Sequence, residues 1–244
     1  MTKLALVTGG SGGIGAAICH KLAKSGYRIV FTFNSNQSAA EQVLNSLEGN
    51  GHAMYQLNVE DSVAISALAE QVSESSQSLD LLVNCAGMTK FVPHHDLNAL
   101  SDDLIDKIFR VNVRAPFAMV RAFEPALRNA KGCVVNITSI AAQTAMGSNV
   151  AYCASKSAVE NMTRSLARAL SPDIRVLAVA PGLVDTEFVK GLDDEWRDTQ
   201  EQSTPLKRLA NDEEVANAVF AAAELLTFST GNTIAVDGGR PLSN

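Results

Sequence analysis

About seven short runs of apolar residues alternate along this chain with longer segments whose apolar residues recur at helical spacing. The short runs are continuously apolar, which is typical of parallel strands buried on both faces of a sheet. Helical segments between successive strands provide the right-handed crossovers that parallel pairing requires. The sequence therefore predicts an α/β fold, a doubly wound parallel sheet of about seven strands with helices on both faces.

The predicted elements follow one another without a linker, a low-complexity segment or an internal repeat, so we expect residues 1–244 to form a single domain. The strands are predicted at 4–8, 28–33, 52–59, 79–84, 132–139, 173–180 and 232–237. The helices are predicted at 15–26, 38–49, 61–76, 101–110, 112–130, 150–170, 186–202 and 211–226.

The composition indicates a globular protein and argues against several classes of function. The chain is 46% hydrophobic and 19% charged, and its net charge of −6 argues against nucleic-acid binding. No stretch approaches the roughly 20 apolar residues of a membrane span. The four cysteines lack metal-site spacing and indicate reduced thiols, so we expect a cytoplasmic protein with no metal site.

A glycine-rich turn, VTGGSGGIG at 7–15, joins the first predicted strand to the first helix. Glycines allow a sharp turn and a close approach of the backbone to a phosphate. The helix that follows offers free N–H groups and the positive end of its dipole. Either a tight turn without a ligand or a nucleotide site is compatible with the motif, and its place at the first strand-to-helix turn favours the nucleotide.

Tyr152 and Lys156 lie four residues apart in YCASK, at the start of a predicted helix, and so share one helix face. A free phenol has a pKa near about 10, and a neighbouring ammonium favours the phenolate. The pair is therefore either a tuned acid and base or an exposed surface pair.

Several motifs follow one another along the chain, namely Gly9/Gly13/Gly15, NCAG at 84–87, Asn112, Ser139, YCASK and PGLVDT at 181–186. Tyr152 follows Ser139 by thirteen positions, and VDGG closes the series at 236–239. The order and spacing of these motifs resemble the short-chain dehydrogenase/reductase family over essentially the whole chain. The chain looks most like the 3-oxoacyl-(acyl-carrier-protein) reductases of that family.

The resemblance implies a Rossmann-type fold and hydride transfer between a nicotinamide cofactor and a carbonyl or alcohol carbon. Tyr152 would donate or accept the proton, and Lys156 would lower the pKa of its phenol and hold the nicotinamide ribose. Ser139 would bind the substrate oxygen. Asn112 would support Lys156 through a water.

The resemblance also implies the residues that bind the cofactor. Asn58 stands where many relatives have an aspartate facing the adenine amine, and its amide oxygen could accept the same bond. Cys85 replaces a second asparagine of the family. The implied set is Gly9, Ser11, Gly13, Ile14, Gly15, Asn34, Ser35, Asn58, Val59, Asn84, Ala86, Gly87, Tyr152, Lys156, Pro181, Gly182, Val184 and Thr186.

The end of the second predicted strand bears on which nicotinamide cofactor is used. An acidic residue there would bind the ribose 2′-hydroxyl of NAD and repel the phosphate of NADP. Asn34, Ser35 and Asn36 occupy the stretch, without an acid and without a basic clamp. We predict NADP(H), and NAD(H) remains open.

Substrate-facing residues are expected in 88–98, 140–150 and 187–205. The substrate is predicted to be a 3-oxoacyl thioester, and its acyl carrier protein would be bound by Arg121, Arg128 and Lys131. The alternative substrates are an alcohol, a sugar, a polyol or a hydroxysteroid. A nucleotide-sensing protein without catalysis and a methyltransferase have no use for the Tyr–Lys pair. His94, His95 and Asp96 are expected in an exposed loop, and the resemblance implies a homotetramer.

Overall fold

Seven parallel strands form one sheet in the order β3-β2-β1-β4-β5-β6-β7. The structure is a computed structural model and describes residues 2–186 and 194–242. The predicted doubly wound sheet is confirmed, and its strand order reverses between β1 and β4, where such sheets bind ligands. The strands are β1 Leu4–Val7, β2 Arg28–Phe33, β3 Ala53–Gln56, β4 Leu81–Asn84, β5 Cys133–Ile137, β6 Arg175–Pro181 and β7 Thr233–Val236.

Helices follow the strands and cover both faces of the sheet. Two π-helical turns, Arg110–Arg114 and Ala221–Leu225, and a 3₁₀ turn, Arg240–Leu242, complete the described elements. Of the predicted helix at 186–202, residues 187–193 lie outside the described residues. The helices are α1 Gly13–Lys24, α2 Gln37–Ser46, α3 Ser62–Ser75, α4 Asp102–Phe109, α5 Ala115–Ala130, α6 Ala141–Thr144, α7 Val150–Leu170, α8 Asp194–Ser203 and α9 Asp212–Phe220.

Two apolar cores lie on opposite faces of the sheet. Ala5 and Val7 of β1 pack with α1 and α9, whereas Leu4 and Leu6 pack with α3, α5 and α7. The strands read as continuous apolar runs because alternate side chains enter different cores. Within the described ranges no helix is both long enough and apolar enough to cross a membrane.

Gly9 and Gly15 show two different reasons why the glycine-rich turn requires glycine. Gly9 has a φ of +70°, a left-handed conformation that side chains rarely adopt. Gly15 lies in the first turn of α1, where an added Cβ would stand 2.1 Å from the Gly9 carbonyl oxygen. The sequence therefore folds the turn back against the start of its own helix, which leaves the helix N-terminus open at the sheet edge.

We predict that Gly15→Ala destabilises the fold by about 3 kcal/mol, because its Cβ would overlap backbone that cannot move independently. Thermal unfolding of the purified variant measures this. Gly12→Ala is the matched control, since an added Cβ there meets nothing within 4 Å and the backbone is extended. It should cost less than about 1 kcal/mol. Equal losses from the two substitutions would contradict the proposed cause.

Candidate active site

A cleft of about 1100 Å³ runs along the carboxyl edge of the sheet. It gathers residues from the glycine-rich turn, from the ends of β2 and β3, and from the segments after β4, β5 and β6. Gly13, Ser35, Asn84 and Asn112 do not line it. The predicted site residues that do are Gly9, Ser11, Ile14, Gly15, Asn34, Asn58, Val59, Ala86, Gly87, Ser139, Tyr152, Lys156, Pro181, Gly182, Val184 and Thr186.

The N-terminus of α1 supplies one wall of the cleft. Its N-cap residue Gly12 makes no side-chain capping bond, and no acidic residue lies in the first turn. The first N–H groups of a helix without side-chain caps, together with the positive dipole end, suit a phosphate. The glycine cradle and this helix end thus fit the pyrophosphate of a dinucleotide.

The segment after β4 is pressed against the glycine-rich turn. The buried Thr8 hydroxyl oxygen accepts hydrogen bonds of 3.0 Å from the backbone N–H groups of Cys85 and Ala86. A Cβ at Gly9 would stand 3.1 Å from the Ala86 Cα, so little room separates the two segments. The small residues of NCAG therefore serve this close packing.

Asn84 lies in the interior of the sheet and away from the cleft. Its Nδ2 donates to Asn136 Oδ1 at 2.8 Å, and Asn136 Nδ2 donates to Thr163 Oγ1 of α7 at 2.9 Å. All three residues are buried. This chain of bonds ties β4 and β5 to α7, so the contribution of the Asn84 side chain in this structure is to position elements.

The side-chain oxygen of Asn58 already accepts a hydrogen bond within the chain, which the sequence did not predict. Its Oδ1 accepts a hydrogen bond of 3.0 Å from the backbone N–H of Glu60. A carboxylate could make this turn with one oxygen and present the other to an adenine amine, whereas an amide has only one oxygen. The adenine bond proposed for Asn58 would therefore have to share that oxygen.

Tyr152, Ser139 and Lys156 converge where β5 ends and α7 begins. The Ser139 hydroxyl lies close enough to the Tyr152 hydroxyl to lower the pKa of that phenol. Lys156 is buried, its Nζ donates to the Ile137 carbonyl oxygen at 2.9 Å, and that nitrogen lies 5.6 Å from the centre of the Tyr152 ring. The pair at i and i+4 is thus part of an enclosed site that opens on the cleft.

Burial controls the protonation of both groups. It lowers the pKa of Lys156 to about 8, an effect that Cys85 partly opposes. Burial raises the pKa of Tyr152, and the neighbouring Ser139 hydroxyl acts against this rise. A lowering of the phenol pKa by Lys156 stays a prediction. Tyr152 consequently keeps its proton at neutral pH, as a proton donor must.

Asn112 lies in the π-helical turn and clamps the segment that follows β4. Its Oδ1 accepts from the Met88 N–H at 2.8 Å, while its Nδ2 donates to the Met88 carbonyl at 3.0 Å and to Ser155 Oγ at 3.1 Å. Ser155 Oγ in turn donates to the Tyr152 carbonyl at 2.7 Å. Sequence reasoning missed Ser155, although YCASK contains it. The water-linked support of Lys156 by Asn112 stays a prediction.

Apolar side chains surround the other end of the cleft. Phe91, Met146 and Trp196 line it and remain partly exposed, at 76%, 60% and 41%. A Cβ at Gly147 would stand 2.9 Å from Cys153 Sγ, so this glycine permits close packing of its loop on α7. Arg240, bonded to Gln200 of α8, adds a cation.

His94, His95 and Asp96 are exposed, as expected. His94 Nε2 donates to the Gly147 carbonyl at 3.0 Å and thereby links two loops that border the cleft. In the part of the chain that the structure describes, no three His, Cys, Asp or Glu side chains form a group that could hold a metal ion.

Comparisons with known proteins agree with this geometry. A family model described as "Enoyl-(Acyl carrier protein) reductase" matches residues 9–240. The 3-oxoacyl-[acyl-carrier-protein] reductase FabG of Staphylococcus aureus is 34% identical over 244 residues, covering 98% of both chains. A short-chain dehydrogenase/reductase from Serratia marcescens is 32% identical, with a TM-score of 0.89 over 98% of both chains.

A further solved structure carries a cofactor in its name. ElxO with NADP bound is 26% identical and superposes with a TM-score of 0.90 over 98% of this chain and 99% of that one. The glycine cradle, the open helix end and the buried Ser–Tyr–Lys group fit such a nicotinamide dinucleotide. The chain therefore belongs to the short-chain dehydrogenase/reductase family and is an oxidoreductase that depends on a nicotinamide cofactor.

Proposed function

We propose that this protein reduces the ketone of a 3-oxoacyl thioester to an alcohol with NADPH, and that Tyr152 donates the proton. The observation that carries the proposal is the enclosed Ser139–Tyr152–Lys156 group, which opens on a cleft whose other wall is a phosphate cradle. The cofactor, when bound, supplies the hydride. The chain supplies orientation, charge and the proton.

The roles of the three side chains follow from their chemistry. Ser139 and Tyr152 donate hydrogen bonds to the ketone oxygen, where negative charge develops during reduction. Tyr152 then gives its proton to that oxygen, and the resulting phenolate regains a proton from solvent. The ammonium of Lys156 stabilises the phenolate during that interval, since an opposite charge nearby favours the ionised form.

The apolar end of the cleft supports an acyl substrate over a sugar or polyol. Phe91, Met146 and Trp196 offer apolar surface that suits an aliphatic chain. Relatives at about one-third identity are named 3-oxoacyl-[acyl-carrier-protein] reductases. A substrate panel that includes sugars and hydroxysteroids tests the alternative dehydrogenase activities.

Basic residues predicted to bind a carrier protein make contacts within the chain itself. Arg128 pairs with both Glu124 and Asp173, and Arg121 lies 5.8 Å from the centre of the Phe117 ring. Two of the three basic residues predicted to bind a carrier protein are therefore engaged within the chain. We propose that thioesters of smaller carriers, such as coenzyme A, are accepted as well.

Two further proposals follow from the family. The homotetramer predicted from the resemblance stays a proposal, which the molecular mass of the protein in solution tests. All four cysteines are free thiols, and thiols persist in a reducing compartment. We therefore retain a cytoplasmic location as a proposal.

We predict that Tyr152→Phe lowers kcat for acetoacetyl-coenzyme A reduction by at least about 100-fold, because the phenol proton is lost. The dissociation constant for NADPH should change little. Loss of NADPH absorbance measures turnover, and cofactor fluorescence measures binding. Tyr55→Phe, in β3 and not among the residues that line the cleft, is the matched control and should retain activity. Normal activity in Tyr152→Phe would refute Tyr152 as the proton donor.

The lowered pKa of Lys156 predicts a pH dependence. Below about 8 the amine is charged and supports the phenolate, and above that value it becomes neutral. Ketone reduction at saturating NADPH should therefore decline as pH rises through about 8, while Tyr152 retains its proton because its pKa is raised. A pH profile of kcat measures this. A rate that stays constant well above a pH of about 8 would argue against a charged Lys156 during turnover.

NADPH preference is proposed from Asn34, which lines the cleft at the end of β2 without an acidic neighbour in that stretch. Asn34→Asp should lower kcat/KM with NADPH roughly tenfold or more, because a carboxylate repels the 2′-phosphate, and should affect NADH far less. Asn36→Asp is the control, since Asn36 is occupied in capping α2. Equal losses with both cofactors from Asn34→Asp would contradict 2′-phosphate binding at this position.

A further inference from the structure

One fully buried amide lies immediately before the helix that carries Tyr152. Asn149 is 0% exposed and is the N-cap residue of α7, where its Oδ1 accepts a hydrogen bond of 2.7 Å from the Tyr152 N–H. Its Nδ2 donates to the Lys90 carbonyl at 2.7 Å and to Thr89 Oγ1 at 3.3 Å. A single side chain thus joins the start of α7 to the segment that follows β4.

Two segments are joined by hydrogen bonds, residues 144–148 just before Asn149 and residues 88–94 after β4. Together they are here called the substrate wall. The Val92 N–H donates to the Ser148 carbonyl at 2.8 Å, and the hydroxyls of Thr89 and Ser148 share a hydrogen bond. His94 adds its bond to Gly147. The substrate wall presents Phe91 and Met146 to the mouth of the cleft.

The choice of asparagine is informative because capping alone does not require it. Serine or aspartate also accepts from the N–H groups of a first turn. Only an amide combines that acceptor with two N–H donors, which here reach a backbone carbonyl and a hydroxyl of the substrate wall. Asn149 therefore makes two kinds of contact with one side chain. Its oxygen caps the turn that contains Tyr152, and its nitrogen binds the substrate wall.

We propose that Asn149 is a positioning residue that fixes the substrate wall to the helix bearing Tyr152, and so sets how a bound ketone meets the Tyr152 hydroxyl. The expected change in kinetics rests on the proposed ketone reduction. Its structural part, that one amide holds the two segments together, stands on the hydrogen bonds alone.

Two substitutions separate the two tasks of Asn149. Asn149→Ser keeps an oxygen for the cap and removes both amide N–H donors, so the KM for acetoacetyl-coenzyme A should rise about tenfold, while kcat and the dissociation constant for NADPH stay within about twofold. Asn149→Ala removes the cap as well, and kcat should fall about a further tenfold as the Tyr152 turn loosens. Asn211→Ser is the matched control, because Asn211 caps α9 through Glu214 without reaching the substrate wall.

Amide hydrogen exchange supplies a readout that does not need turnover. In Asn149→Ser, backbone amides of the substrate wall, above all Val92, should exchange at least about tenfold faster, with those of 153–156 unchanged. An unchanged KM together with unchanged exchange at Val92 would overturn the proposal. A lower fraction of folded enzyme, with the KM of the folded part unchanged, would also overturn the proposal. A purely structural role for Asn149 gives that result.

The two hypotheses fail differently. If the unsubstituted protein binds NADPH but reduces no ketone, the proposed function fails, and the exchange of Val92 still decides whether Asn149 holds the substrate wall. If ketone reduction is normal and Asn149→Ser behaves as Asn211→Ser does in both assays, the positioning role fails and the proposed function stands.

Discussion

The burial of Lys156 against the end of β5 is the interaction on which the rest of the site depends. Removing an ammonium from water is unfavourable unless hydrogen bonds replace the lost solvent. The Ile137 carbonyl accepts one such bond, at 2.9 Å, and the sheet fixes that carbonyl. The start of α7 is therefore held close to the strand end, and Tyr152, one turn earlier, is brought beside Ser139.

The same burial determines the electrostatics. It lowers the pKa of Lys156 to about 8 and raises the pKa of Tyr152, so both changes favour the forms with less charge. A phenol that stays protonated is prepared to donate, and a lysine that titrates near physiological pH can respond to a neighbouring charge. The site is thus arranged for proton donation before any substrate binds.

Polar residues buried around this pair connect it to the surrounding loops. Asn136 and Thr163 join β5 to α7, Asn112 clamps Met88, and Asn149 ties α7 to Lys90. Buried amides of this kind are costly when unpaired, so each restricts the arrangements that the loops can adopt. The segments after β4 and β5 are consequently positioned by the same residues that position α7.

The local pattern of the chain determined the seven-strand sheet, the glycine-rich turn and the Tyr–Lys spacing, since periodicity and glycine chemistry act over a few residues. The tertiary structure alone decided that Lys156 is buried, that the phenol pKa rises, that the oxygen of Asn58 is already engaged and that Arg128 is paired with two carboxylates. It also decided that Asn149 meets Lys90. Burial and contacts between distant segments arise only when packing brings the elements together, and no short pattern specifies them.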